Sequence, residues 1–192
     1  MENNPTVTLL LTRHGQTREN VLRVLQGQMP GELTDEGIRQ AEELRDSLVG
    51  TPIDLIISSD LKRAADTAQI INSKLHLPLT LDPLIRERDF GTHTGMPYAG
   101  ITGELDPSAE TVEQMFARAS AWLRKVYETY PDKTILVICH GLFLRVIQGA
   151  FYGKTIRDIK PMDNAEVRTI SLTAESLSHL TSEKEENLIG NA

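Results

Sequence analysis

Apolar positions in this chain follow two rhythms: short unbroken runs, and longer stretches spaced three or four residues apart. Val7 to Thr12 is a run of the first kind and predicts a strand. Leu33-Thr34-Asp35-Glu36 then opens a helix with Thr34 as N-cap, and Ile38, Ala41, Leu44 and Leu48 form its apolar stripe. Gly50-Thr51-Pro52 stops it. A second strand is expected over Ile53 to Ser58. A helix from about Asp60 to Leu75 follows, presenting Leu61, Ala65, Ala68, Ile71 and Leu75. Leu77 to Leu81 reads as a short strand, and residues 82–107 as a long functional loop. Thr111-Val112-Glu113-Gln114 fits a capping box. Its helix runs to about Tyr130 and buries Met115, Ala119, Trp122, Leu123 and Val126. Thr134 to Cys139 is the most apolar run, hence a central strand. A helix over Leu142 to Phe151 and a late strand over Val167 to Leu172 complete the series. The alternation predicts an α/β fold: a three-layer α/β/α sandwich around a mainly parallel central sheet.

Composition narrows the possibilities. At 192 residues the chain suits a single domain, with a core over about 6–172 and a charged, mobile tail over 181–192. One cysteine excludes an intrachain disulfide and a Cys-rich zinc site. A net charge of −7 argues against a general nucleic-acid binder, because phosphate backbones demand a basic face. The N-terminus has no basic stretch followed by an apolar one, and no apolar run approaches the roughly 20 residues that span a bilayer. With a free thiol, these features predict a cytoplasmic protein without a membrane partner. Monomer and homodimer are both open.

Three strand ends gather the residues that could carry chemistry. The first ends Thr12-Arg13-His14-Gly15, and the most apolar one ends Cys139-His140-Gly141. The strand ending Ser58-Ser59-Asp60 leads into a helix whose first turn holds Arg63. In open α/β sheets, ligands sit outside the carboxyl ends of the strands. Two histidines and two arginines are therefore expected at one rim. Each histidine precedes a glycine, whose missing Cβ lets backbone approach a ligand closely. Guanidinium forks and helix N-termini suit a dianionic phosphate. An imidazole can also attack phosphorus and hold the phosphoryl group covalently. One ring would then be neutral at its attacking nitrogen, while the other could be protonated and donate to a phosphoryl oxygen.

Taken in order, these segments resemble the histidine phosphatase superfamily, the family of cofactor-dependent phosphoglycerate mutases and related small phosphatases. Arg13-His14-Gly15, with Thr17 and Asn20 close behind, is similar to its opening motif. The segment Ser58 to Ala68 resembles its second phosphate-binding stretch, and Ile85-Arg86-Glu87-Arg88-Asp89-Phe90-Gly91 its acid-bearing loop. Val137 to Gly141 resembles its second histidine motif, and Asn164 stands where the family often has an Asn-Ala pair. The resemblance spans about Val7 to Leu172. It implies a phosphoglycerate mutase-like fold with His14 as the nucleophile. It implies that Arg13, Arg63 and His140 hold the phosphoryl oxygens, that Glu87 is the general acid and then base, and that Asn20 and the Gly141 region donate further hydrogen bonds. It implies no cofactor and no metal. Asp89 stands as the alternative acid, and Thr17 with Asn20 could instead cap a short helix.

Two departures bear on the reaction. Thr94 stands where the family often has an acidic residue, and Gln16 where its mutases commonly have Glu. Of the 52 residues between Glu87 and His140, the 111–130 helix uses 20, and what is left is little for the closing lid a mutase needs to exclude water. A phosphomonoesterase acting on a small phosphorylated metabolite is therefore predicted, with a phosphoglycerate mutase-type phosphotransferase as the alternative. Met96, Pro97, Tyr98 and Ile101 suggest a mono-phosphorylated substrate of some apolar character, unless Lys154 or Arg157 folds over the pocket. Cys139 is expected to be a buried apolar filler, His76 and His179 surface residues, and His93 either a pocket or a solvent residue.

Overall fold

The computed structural model describes residues 4–100, 105–178 and 180. Five strands form one sheet: β1 (Val7–Arg13), β2 (Leu55–Ser58), β3 (Leu79–Leu81), β4 (Thr134–Cys139) and β5 (Val167–Leu172). Among the described residues, six α-helices accompany them: α1 (Arg18–Val21), α2 (Asp35–Ser47), α3 (Lys62–Leu75), α4 (Val112–Thr129), α5 (Gly141–Tyr152) and α6 (Ala174–Leu177). The strand order is β3-β2-β4-β1-β5, parallel throughout except for β5, which runs antiparallel along β1. This is the predicted three-layer, mainly parallel architecture.

Alternation along the strands separates two cores. Leu9, Leu11, Ile135, Val137 and Cys139 face α4 and α5, where Trp122, Phe116 and Phe143 are fully buried. Ile56, Leu136 and Ile138 face the other way, onto Leu44 and Leu48 of the α2 segment and Ala64, Ala68 and Ile71 of α3. The chain leaves β1 towards α2 on one face and leaves β4 towards α5 on the opposite face. These neighbouring strands thus diverge at their carboxyl ends, where a crevice forms.

Several boundaries differ from the periodicity. Ile38 is 39% exposed, because Gly37 is the residue that turns inward at that level. In α3 the buried stripe is Ala64, Thr67, Ala68 and Ile71, with Arg63 on the same face, while Ala65 and Leu75 are half-buried. The helix starts at Lys62, with Leu61 as N-cap. The strand expected from Ile53 starts at Leu55, and the one expected from Leu77 starts at Leu79. The described part of the long loop holds three short 3-10 turns, Pro83–Ile85, Gly91–His93 and Tyr98–Gly100. The short helices α1 and α6 each begin with a reciprocal cap, from Thr17 and Thr173. The tail at 181–192 and His179 lie outside the described residues.

Candidate phosphoryl-transfer site

The first turn after β1 lies against α2. A Cβ at Gly15 would stand 2.3 Å from the Gly37 carbonyl oxygen, and one at Gly37 would stand 2.0 Å from that of Gln16. Gly15 is thus required for backbone-to-backbone packing and not for approach to a ligand, which corrects the expectation above. Gly141 plays a related part, since its Cβ would meet the Arg13 guanidinium at 3.2 Å. The two turns are tied together by the His14 N–H, which donates to the Cys139 carbonyl at 3.1 Å. Asn164 adds a bond from its side-chain amide to the His14 carbonyl at 2.7 Å.

Two hydrogen bonds define the state of His14. Nδ1 lies 2.7 Å from the Gly15 carbonyl, an acceptor only, so Nδ1 carries the proton. Nε2 receives the Arg63 Nε–H at 3.2 Å, so Nε2 holds a lone pair. Burial, with Arg63 and Arg13 adding to it, holds the ring well below the usual histidine range. His14 is therefore neutral, with its free lone pair facing the guanidinium. The second ring, His140, lies with its centroid 5.3 Å from that of His14. It is fully buried, and neither of its ring nitrogens has a partner among the described residues. Burial first, then Arg63 and His14, holds it low as well.

Both rings protonate freely once the chain unfolds, so the unfolded state binds more protons below about pH 6.5 and stability falls with pH. Each ring contributes up to about 1.4 kcal/mol per pH unit, and the loss continues until the folded rings themselves protonate. Thermal melts at pH 6.5 and 5.5 are expected to show a clear drop in Tm. The His140→Gln variant should lose about half of the histidine share.

Arg63 is 1% exposed. Besides His14 it donates to the carbonyls of Met29 and of Gly27, the latter at 2.8 Å. Arg13 donates to the Met162 carbonyl at 3.1 Å, and its buried Nε has no partner among the described residues. A buried donor left unsatisfied costs free energy. With the one N–H that a neutral His140 ring carries, it marks the place where an anion would complete the network.

Glu87 is seated on the N-terminus of α5. Its Oε1 accepts from the N–H groups of Phe143 at 3.1 Å and Arg88 at 2.9 Å, and its Oε2 from that of Leu142 at 3.1 Å. The Gly141 region therefore offers less than expected, because the next two amides serve Glu87 and only the N–H of Gly141 itself is left. Asp89 is exposed and accepts from the Gly91 N–H at 2.8 Å. Arg118 braces this acid loop from α4. It donates to the carbonyls of Leu84 and Arg86, both at 2.8 Å, while holding both carboxylate oxygens of Glu110.

A cleft of about 300 Å³ collects Arg13, His14, Asn20, Arg63, Glu87 and Gly141. His140 does not line the cleft, but its ring stands next to that of His14, which does. Thr17 and Asn20 form the reciprocal cap of α1, so Asn20 both caps and lines the cleft. Sequence reasoning missed Gln26, Gly27, Phe90, Leu142, Arg145 and Met162, which also line it. Most come from loops without hydrophobic period, and Arg145 sits at a position that reads as a helix-surface charge. Tyr98 lines the cleft as expected. His93 is half-buried and lies outside it, and His76 is exposed. Cys139 is buried, with its thiol pushed up by burial and directed at the Ile85 carbonyl, which suits a filler. Among the described residues no group of His, Cys, Asp or Glu gathers as a metal-ligand set, and no helix is long and apolar enough to cross a membrane.

Fold and site define an α/β protein with an imidazole- and guanidinium-lined cleft at the carboxyl ends of its strands. The sequence profile of the histidine phosphatase superfamily (branch 1) matches residues 9–183, and the chain belongs to that superfamily. It is 37% identical over 141 residues to an uncharacterized phosphatase, PhoE, of Bacillus subtilis, covering 71% of this chain and 73% of that protein. It is 31% identical over 158 residues to a probable phosphoglycerate mutase, GpmB, of Yersinia pestis, covering 74% of each. Among solved structures, it superimposes on a mycobacterial glucosyl-3-phosphoglycerate phosphatase in complex with VO3. The TM-score is 0.76 at 25% identity, over 86% of this chain and 92% of that one.

Proposed function

We propose that this protein is a phosphomonoesterase that hydrolyses a small phosphorylated metabolite through a phosphohistidine at His14. The observation that carries the reading is the state of His14: neutral, protonated at Nδ1, with its Nε2 lone pair facing Arg63. On binding, a phosphoryl oxygen takes over the Arg63 Nε–H and frees that lone pair. Nε2 then bonds to phosphorus as the ester oxygen departs, and protonated Glu87 gives that oxygen its proton. Water next attacks phosphorus, Glu87 takes the water's proton, and the N–P bond breaks to release inorganic phosphate. Arg13, Arg63 and the single N–H of the neutral His140 ring stabilise the equatorial oxygens, and Asn20 and the Gly141 N–H add hydrogen bonds. Oxyanion binding by the mycobacterial relative, solved with VO3, supports this use of the cleft.

Hydrolysis is favoured over phosphoryl transfer between metabolites by the short loop region and by the phosphatase names of the relatives in Bacillus and mycobacteria. The same reading takes the protein to be cytoplasmic, monomeric or homodimeric, and free of nucleic-acid partners, in keeping with its net charge of −7. Hydrolysis of p-nitrophenyl phosphate is the direct assay. Turnover is expected to be the same with and without EDTA, because cationic side chains supply the charge a metal would. Loss of turnover in EDTA, restored by a divalent cation, would overturn the metal-independent mechanism.

A further inference from the structure

The turn that carries the nucleophile is pinned one peptide unit at a time. The unit joining His14 to Gly15 is held at both ends. Its carbonyl accepts from the Asn164 amide at 2.7 Å, and its N–H donates to the Thr67 hydroxyl at 3.1 Å. The next unit, joining Gly15 to Gln16, is the one whose carbonyl faces His14 Nδ1. Its N–H donates to Oε1 of Gln40, on α2, at 2.9 Å. The Gln40 amide is oriented in turn by Glu36, one helical turn earlier, whose carboxylate accepts from Nε2 at 3.2 Å. Gln40 is absent from the phosphoryl cleft and lines a separate one, together with Asn164.

A chain of hydrogen bonds therefore runs from the His14 ring through one peptide unit and the Gln40 amide to the Glu36 carboxylate. Every group in it donates in the same direction, so each bond strengthens the next. A peptide whose N–H is engaged is a better acceptor at its carbonyl. That matters here because the Gly15 carbonyl is the sole partner of Nδ1 among the described residues, and the partner sets the tautomer. With the proton on Nε2 instead, the ring would turn a donor towards the Arg63 Nε–H and have no lone pair for phosphorus. The demand on the carbonyl rises during reaction. As Nε2 bonds to phosphorus and the ester P–O bond breaks, the departing oxygen takes its proton from Glu87 and the Nδ1 proton stays. The ring becomes cationic, and its bond to the carbonyl becomes charge-assisted.

We propose that Gln40 is a positioning residue for phosphoryl transfer: through the Gly15–Gln16 peptide it fixes the tautomer and angle of His14 without touching substrate. Its effect on rate rests on the phosphohistidine reading, whereas its hold on the ring belongs to the resting protein. Glu36 supports it from the surface, with a side chain 42% exposed.

Nitrogen NMR of histidine-labelled protein reads the tautomer without turnover, and His14→Ala identifies the His14 signals. The wild type is expected to carry its ring proton on Nδ1 alone. In Gln40→Met, which keeps the length of the side chain, both tautomers should appear. There kcat for p-nitrophenyl phosphate should fall about 10- to 100-fold while KM changes less than about threefold. The exchanged pair Glu36→Gln/Gln40→Glu again sets an acceptor against the Gln16 N–H and a donor beside it, and should recover most of both. Glu36→Ala should mix the tautomers to a smaller extent, and it serves as the test should Gln40→Met not fold. A single Nδ1–H tautomer with wild-type kcat in these variants would overturn the role, as would a loss of kcat that follows only a lower Tm and is not recovered by the exchanged pair. Mixed tautomers in Gln40→Met with full turnover in His14→Ala would keep the hold on the ring and sink the phosphohistidine reading. Loss of turnover in His14→Ala with no response to Gln40→Met would do the reverse.

Discussion

His14→Ala is expected to lower kcat/KM for phosphomonoesters by about 10⁴-fold or more, some 5.5 kcal/mol of transition-state stabilisation. No other side chain in the cleft offers a neutral nitrogen held ready for attack. The second imidazole, His140, has no hydrogen-bond partner among the described residues to set its tautomer and does not line the cleft. Arg13 and Arg63 still bind phosphate in the variant, so the loss should fall on kcat far more than on KM. Steady-state kinetics, with a thermal melt to verify the fold, read this directly. Retention of more than about a tenth of wild-type kcat would place the nucleophile elsewhere.

The second large effect concerns Glu87, and it depends on the leaving group. For an alkyl phosphate, Glu87→Gln should lower kcat by about 10²- to 10⁴-fold, since the departing alkoxide needs a proton. For p-nitrophenyl phosphate the first step should barely change, because nitrophenolate departs without one. Hydrolysis of the phosphoenzyme still needs a base, so that step becomes limiting. Asp89→Asn should change either rate less than about threefold, since its carboxylate faces solvent and caps Gly91. A large, leaving-group-dependent loss in Asp89→Asn with little in Glu87→Gln would reverse the assignment.

The order of elements was legible because unbroken apolar runs, as at Ile135 to Cys139, and capping signals, as at Thr34 and Thr111, act locally. What failed was set by contacts between elements. Ile38 lies at helical spacing with Ala41, yet packing of Gly37 on Gln16 rotates the first turn of α2 and leaves Ile38 in water. In the sequence the glycine after His14 offers room for a ligand, but the atom in its space is the Gly37 carbonyl. Strand ends told which residues share the rim. They did not tell that Glu87, from a loop without period, would cap α5 and so take amides otherwise open to phosphate. Arg145 was invisible as a cleft residue, because its orientation depends on carbonyls of Ile156 and Ile159 in another irregular segment.

Turnover by this route passes through a phosphoryl group bonded to His14. Glu87→Gln protein mixed with p-nitrophenyl phosphate and quenched in base should hold that intermediate, since it forms without a proton donor and waits for a base. Peptide mass spectrometry is then expected to find one phosphoryl group on His14, stable in base and lost in acid, and none in the Glu87→Gln/His14→Ala double variant. Phosphate on another residue, or a full burst of nitrophenolate with His14 unmodified, would contradict it.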